Sequence, residues 1–267
     1  MPSIYNIELY ASKCILELTV NGLILFRADA KNGSSMTYPF NTELIGKGNE
    51  IKITVYPTLL DNGLPSSYSD VTITGTIKTY GENEITGPEG GQLVQRIDFS
   101  DVVAQKQIQA ETTADLSKLF PMLKSFVFDN EGLTFKNRLI DAPVIKNEKL
   151  LLDYAEKLRD IIAKQDIDAL WVEYKPKVDD YALAYPQEFP DPLSWFIDFF
   201  KNDFFPGGPI TNFKRGDIGL RSWCDGKVWE LYVKPAQKFF VNQGLDGDIN
   251  SVEVYVGMVD GKLKIIR

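Results

Sequence analysis

The sequence predicts an α+β protein in two parts: an N-terminal antiparallel β-sandwich, then a domain that runs helices first and an antiparallel meander last. Three observations carry this. Apolar and polar residues alternate in runs between residues 13 and 99, the period of strands with one wet face. The period becomes helical after Asn147, and alternation returns from residue 218 to the end.

In KCILELTV, Cys14, Leu16, Leu18 and Val20 alternate with Lys13, Ile15, Glu17 and Thr19. EIKITVY sets Ile51, Ile53 and Val55 on one face, and VTITGTIKTY does the same with Val71, Ile73, Gly75 and Ile77. QLVQRIDF offers a further run at 92–99. Runs recurring between Asn-Gly, Gly-Lys-Gly and Pro clusters suggest a sandwich, with loops at 59–69 and 81–91. Residues 100–144 are expected to hold a last strand and a short helix before Pro121. The domains are then 1–142 and 143–267, with the boundary near Asp141-Ala142-Pro143 placed to about ten residues.

Asn147 is the expected cap of a first helix, its side-chain oxygen accepting an otherwise unpaired backbone N–H. Leu151, Tyr154, Ala155, Leu158, Ile161 and Ile162 form its apolar stripe. Asp153–Lys157 and Asp160–Lys164 are helix-spaced ion pairs on its exposed side. Asp166 caps a second helix with Ile167, Leu170, Trp171 and Tyr174 inward, and Pro176 is expected to end it. The interruption at Gln165-Asp166 is thus a corner between two helices. A third helix is expected at 178–184 and a fourth at 193–201, after Pro190-Asp191-Pro192. Strands IGLRSWC, KVWELYV, KFFV, SVEVYVGMV and KLKIIR follow, with Asp225-Gly226 and Asp260-Gly261 as hairpin turns.

Composition excludes several functions. The formal charge is −8, and neither part is basic: 12 Lys/Arg face 17 Asp/Glu in residues 1–144, and 17 face 20 in 145–267. Neither nucleic acid nor an anionic membrane surface is an expected partner. MPSIYNIELY has no basic segment leading into an apolar block, so no secretory signal is expected. No apolar run is long enough for a transmembrane helix. Two cysteines 210 residues apart, Cys14 and Cys224, make no disulfide framework and suit a reduced, cytoplasmic protein. The chain has no histidine, which removes Ser-His-Asp and Cys-His catalysis and nearly all zinc sites.

The helix Leu151–Ile162, the corner Gln165-Asp166-Ile167-Asp168-Ala169-Leu170 and the hairpin about Asp260-Gly261 together resemble the nuclear transport factor two-like superfamily. That superfamily includes polyketide cyclase-like and ketosteroid isomerase-like members, and the resemblance covers residues 145–267. It implies a cone-shaped domain whose bent sheet wraps the long helix and leaves a pocket at the open end. Family enzymes commonly place His–Asp or Tyr–Asp groups there. The first pairing is absent here, and many members do not catalyse. PFNTELIGKGNEIKITVYP, residues 39–57, resembles a phrase of β-sandwich accessory domains and implies no particular ligand.

The densest unusual segment is FPDPLSWFIDFFKNDFFP, 189–206. Trp195, Phe196, Phe199 and Phe200 are expected to form one broad aromatic face, extended by Phe204 and Phe205 into a Pro-Gly-Gly-Pro loop. Core or interdomain packing is the plainer account; the functional one is the wall of an apolar pocket. Trp171, Tyr174, Trp223 and Trp229 are further pocket-lining candidates under the cone reading. Asp179-Asp180 with Tyr181 is more plainly a solvated helix face than an acid–base pair, because helix neighbours diverge by about 100°. LDGDIN at 245–250 has the alternating acids of a calcium loop but Ser251 and Gly257 where that loop needs Gly and Glu. No metal, cofactor or catalytic residue is expected.

The leading expectation is a non-enzymatic, bacterial-type binding or interaction protein. Its contact would lie at residues 189–206 or at the interdomain groove, with a protein or a small apolar molecule as partner and a homodimer among the assemblies considered. Alternatives are a lyase, isomerase or hydrolase using the cone pocket, and an immunity-type toxin antagonist.

Overall fold

Residues 3–81, 84, 87, 89–111, 116–207, 213–243 and 249–267 are described in the computed structural model. They fall into two units, 1–134 and 135–267.

The first unit contains β1 (Ile4–Ser12), β2 (Cys14–Val20), β3 (Leu23–Asp29), β4 (Ser34–Pro39), β5 (Asn49–Pro57), β6 (Thr72–Tyr80), β7 (Gln92–Asp98), α1 (Ser100–Ala110) and β8 (Met122–Phe128). Two antiparallel sheets result, ordered β4-β1-β6-β7 and β3-β2-β5-β8. Ile7, Leu9, Ile73 and Ile77 of one sheet share a core with Leu16, Leu18, Ile51 and Ile53 of the other, as a sandwich requires. Each such fully buried side chain contributes about 1.5–3 kcal/mol. At one end, three asparagines replace missing backbone partners. Asn49 Oδ1 accepts from Asn21 at 3.0 Å and from the Ile45 N–H at 2.8 Å, and Asn130 Oδ1 accepts from Asn49 at 2.9 Å.

Four strands go beyond those the alternation singles out: β1, β3, β4 and β8. β4 lies at a sheet edge with no buried residue, so it carries little apolar contrast. In β1, Asn6 is buried on the second face, which blurs the alternation. The segment after residue 100 holds the expected helix before Pro121, α1, with eleven residues and no buried side chain, and the expected last strand, β8, just after that proline.

Gly75 faces the core of the first unit, and a Cβ there would lie 2.2 Å from the Glu8 carbonyl oxygen in the neighbouring strand β1. A backbone oxygen fixed in a ladder has little room to retreat. Gly75→Ala is therefore expected to destabilise the first unit by about 1–3 kcal/mol. Faster hydrogen exchange at β1 and β6 amides, with unaltered tryptophan fluorescence, would register this. All four tryptophans belong to the second unit. Unchanged exchange would contradict it.

The second unit contains α2 (Lys136–Leu139), α3 (Glu148–Ala163), α4 (Ile167–Ala184) and α5 (Pro192–Asp198), which continues as a π-helical turn over Phe199–Phe204. The strands are β9 (Ile218–Trp223), β10 (Val228–Val233), β11 (Gln237–Lys238), β12 (Phe240–Gln243), β13 (Ile249–Val252), β14 (Val254–Val259) and β15 (Lys262–Ile265). β10 pairs with β9 on one side and with β14 and β11 on the other; β14 pairs with β15, and β12 with β13. KFFV and SVEVYVGMV are each split, at Phe239 and Glu253, because the chain changes pairing partner there. Asp260 and Gly261 take φ of 50° and 74° and close the last hairpin. Most of the calcium-like LDGDIN stretch, and Gly208 and Pro209 of the Pro-Gly-Gly-Pro loop, lie outside the described residues.

The helical corner forms as its chemistry predicts. Asn147 accepts from Lys149 N–H at 3.1 Å, and Asp166 from Ala169 N–H at 3.0 Å. Gln165 between them adopts φ of 53° and ends α3. Pro176, however, does not end the second helix. It lies inside α4, which absorbs the helix expected at 178–184. Proline removes the N–H that would bond to the Val172 carbonyl, and Lys264 Nζ donates to that oxygen instead, at 2.9 Å. The apolar faces of α3 and α4 pack with Leu231, Val254, Val256 and Ile265 of the sheet. Among the described residues, no helix is long and apolar enough to cross a membrane.

Candidate functional site

On α4, Tyr174, Lys177, Val178 and Tyr181 follow one another at i, i+3, i+4 and i+7, which puts them on one face. On α5 and its π-helical extension, Trp195 and Phe199 stand four residues apart and stack, with ring centroids 5.8 Å apart and planes 6° from parallel. Phe189 meets Trp195 edge-on at 4.8 Å. With Phe200, Lys238, Ser251, Val252 and Glu253, these residues line a cleft of about 400 Å³. Its buried residues, Tyr174, Val178 and Phe200, make the floor, and the exposed Lys238, Ser251 and Glu253 make the mouth.

The expected single aromatic face is divided in two. Adjacent helix positions diverge by about 100°, so Trp195 and Phe199 turn to the cleft while Phe196 lies fully buried beneath it. Phe196 packs on Trp171 at 5.1 Å, Tyr174 at 5.7 Å and Phe200 at 4.9 Å. Trp195 remains 42% exposed.

Of the eight aromatic candidates, Trp195, Phe199, Phe200 and Tyr174 line this cleft. Trp171 lines a second hollow, of about 510 Å³, with Arg138, Lys175, Lys262 and Lys264. Trp223 and Trp229 stand on the sheet, their indole N–H groups donating to Glu230 at 3.2 Å and to the Gly226 carbonyl at 3.1 Å. Phe189 opens the aromatic segment the sequence singles out, whereas the sequence reading leaves out Lys177, Val178, Lys238 and residues 251–253. Helical spacing from Tyr174 points to the first two. The strand residues carry no local signal, because pairing alone brings them here.

The floor holds an unusual group. Tyr174 is 3% exposed, yet its hydroxyl has no hydrogen-bond partner among the described residues. Burial pushes its phenol well above the ordinary tyrosine range, so it stays protonated and able to donate. A buried hydroxyl left unpaired costs about 1–3 kcal/mol. Lys177 Nζ stands 5.8 Å from the ring centres of both Tyr174 and Tyr181, within cation–π reach. At the mouth, Lys238 pairs with Glu253.

The unit's buried carboxylates lie outside this cleft and are already engaged. Glu173 accepts from Tyr154 at 2.7 Å, Lys157 at 2.7 Å and Lys264 at 3.2 Å. Burial alone would raise its pKa, but these bonds outweigh burial and hold it below the ordinary value. Asp179 pairs at the surface with Lys175 at 2.6 Å, whereas Asp180, expected on a solvated face, is buried between Arg138 at 3.2 Å and Arg267 at 2.9 Å. The turn of the helix separates the two acids. In the first unit, burial and the Asp29 charge push the Cys14 thiol up to about 12, leaving it a poor nucleophile at neutral pH. Among the described residues, no three His, Cys, Asp or Glu side chains gather as a metal site would need.

Together these features define an α+β chain of two units, the second holding an aromatic, lysine-bearing cleft. Comparison with protein-family models, curated proteins and solved structures gives no match to this chain.

Proposed function

We propose that this is a non-enzymatic, bacterial-type cytoplasmic protein whose second unit, a nuclear transport factor two-like domain, binds a small apolar molecule in the aromatic cleft. The observation that carries the reading is the stacked pair Trp195 and Phe199, whose ring planes lie 6° from parallel in the lining of the cleft. Trp195 remains 42% exposed there. A flat apolar ligand laid against that pair would bury this surface. A catalytic reading has less support, since Glu173 and Asp180 are each held by two cations. The cytoplasmic placement rests on thiols buried in separate units.

The test uses N-phenyl-1-naphthylamine, a neutral dye that brightens in apolar sites. Wild-type protein should bind it, and Trp195→Ala/Phe199→Ala should weaken binding about ten-fold or more at an unchanged unfolding midpoint. Tyr174→Phe should leave the free protein as stable as wild type or more so, since it removes an unpaired group. Equal dye binding by the double variant would sink the reading.

A further inference from the structure

We propose that the hollow between α4 and the β14–β15 hairpin is a second binding site, one that takes a phosphate monoester of a small, partly apolar molecule. It shares no lining residue with the aromatic cleft and stands apart from the reading above.

Helical spacing makes one wall. Trp171, Val172, Lys175, Pro176 and Asp179 follow at i, i+1, i+4, i+5 and i+8 of α4, a different face from the one that floors the cleft. The hairpin supplies Val259 and Asp260, then Lys262 and Lys264, which share one side of β15. Arg138 of α2 completes the lining. A volume of about 510 Å³ falls within the roughly 300–1,000 Å³ of small-molecule sites.

The charge selects an anion. In a chain of net charge −8, this lining holds four cations and two carboxylates. Lys175 is spent on Asp179 at 2.6 Å. The other three cations keep donors to offer. Arg138 bonds Asp180 through Nε at 3.2 Å and Nη2 at 3.4 Å, and its Nη1 has no partner among the described residues. Lys264 gives two of its three N–H groups to the Val172 carbonyl at 2.9 Å and to Glu173 at 3.2 Å. Glu173 also serves Lys157, so one carboxylate faces two ammonium groups. Lys262 is exposed and makes no ion pair among the described residues. With Asp179 paired off, Asp260 is the lining carboxylate left against these three.

Pro176 has a part in this. Its missing N–H frees the Val172 carbonyl, and the bond from Lys264 to that oxygen holds the ammonium at the helix wall. Three cationic donors match the three terminal oxygens of a phosphate monoester, whereas a carboxylate offers two. The half-buried Trp171, with Val172 and Val259, supplies apolar surface for the rest of the molecule.

The probes are phenyl phosphate, inorganic phosphate, benzoate and phenol, titrated calorimetrically into the full chain at about pH 8, where the monoester carries two charges. Phenyl phosphate should bind at least about ten-fold tighter than each of the others. Lys262→Gln, at an exposed position, should weaken it about ten-fold, and Lys262→Arg should keep it. Lys201→Gln removes an exposed lysine outside the hollow and should leave it unaltered. Equal binding by wild type and Lys262→Gln, or equal weakening by Lys262→Gln and Lys201→Gln, would overturn the inference. So would any other probe matching phenyl phosphate, or failure of all four to bind. None of these results bears on the neutral dye in the aromatic cleft, which Lys262→Gln should bind as wild type does.

Discussion

Asp180→Ala is expected to cost the second unit about 3–5 kcal/mol, the largest effect of any single substitution considered. Asp180 is 7% exposed and stands between two guanidinium groups, Arg138 at 3.2 Å and Arg267 at 2.9 Å. Arg267 is itself only 4% exposed; it donates to the Ile266 carbonyl at 2.6 Å and lies over the Phe135 ring at 5.2 Å. Removing the carboxylate would strand a buried cation, which is far more costly than never having buried the pair. Asp180→Leu combined with Arg267→Met should therefore recover much of the loss. That pattern separates an uncompensated charge from a simple packing defect. Urea unfolding followed by tryptophan fluorescence reports the second unit selectively, because Trp171, Trp195, Trp223 and Trp229 all lie within it. A loss below about 1 kcal/mol for Asp180→Ala would place the pair among the surface contacts that contribute little.

The second large effect depends on pH. Glu173→Gln is expected to cost about 2–4 kcal/mol at neutral pH, since a 3% exposed carboxylate bonded to Tyr154, Lys157 and Lys264 becomes neutral. Its folded-state pKa lies below the ordinary 4.5. The unfolded chain therefore takes up a proton before the folded one does as acid is added. The stabilisation is fully present above about pH 4.5 and fades as pH falls through the lower folded-state value. The difference in unfolding free energy between wild type and Glu173→Gln should thus stay flat from about pH 7 to about pH 5 and narrow below that. Taking the difference cancels the other carboxylates, which titrate alike in both proteins. A gap that widened on acidification would reverse the assignment.

How much of this was legible in the sequence depends on the range over which each interaction acts. The caps at Asn147 and Asp166 were legible, because a capping side chain bonds to backbone two or three residues away. So were β2, β5 and β6, whose alternation records one buried face. The continuation of α4 through Pro176 was not. Its compensation comes from Lys264, 92 residues on from the Val172 carbonyl it satisfies. The divided aromatic run was half legible: spacing alone separates Trp195 and Phe199 from Phe196 and Phe200, but not which pair turns outward.

The same division holds for the cleft. By itself the sequence determined the α+β class, the absence of histidine chemistry, the helical corner and the aromatic segment at 189–206. All of these follow from composition or from neighbours within a turn or a strand. Only the tertiary structure decided that Lys238 and residues 251–253 face α4 and α5, that Asp180 is buried between two arginines, and that the Tyr174 hydroxyl has no partner among the described residues. Whether a polar group finds a partner depends on what distant segments bring to it, and no local pattern records that.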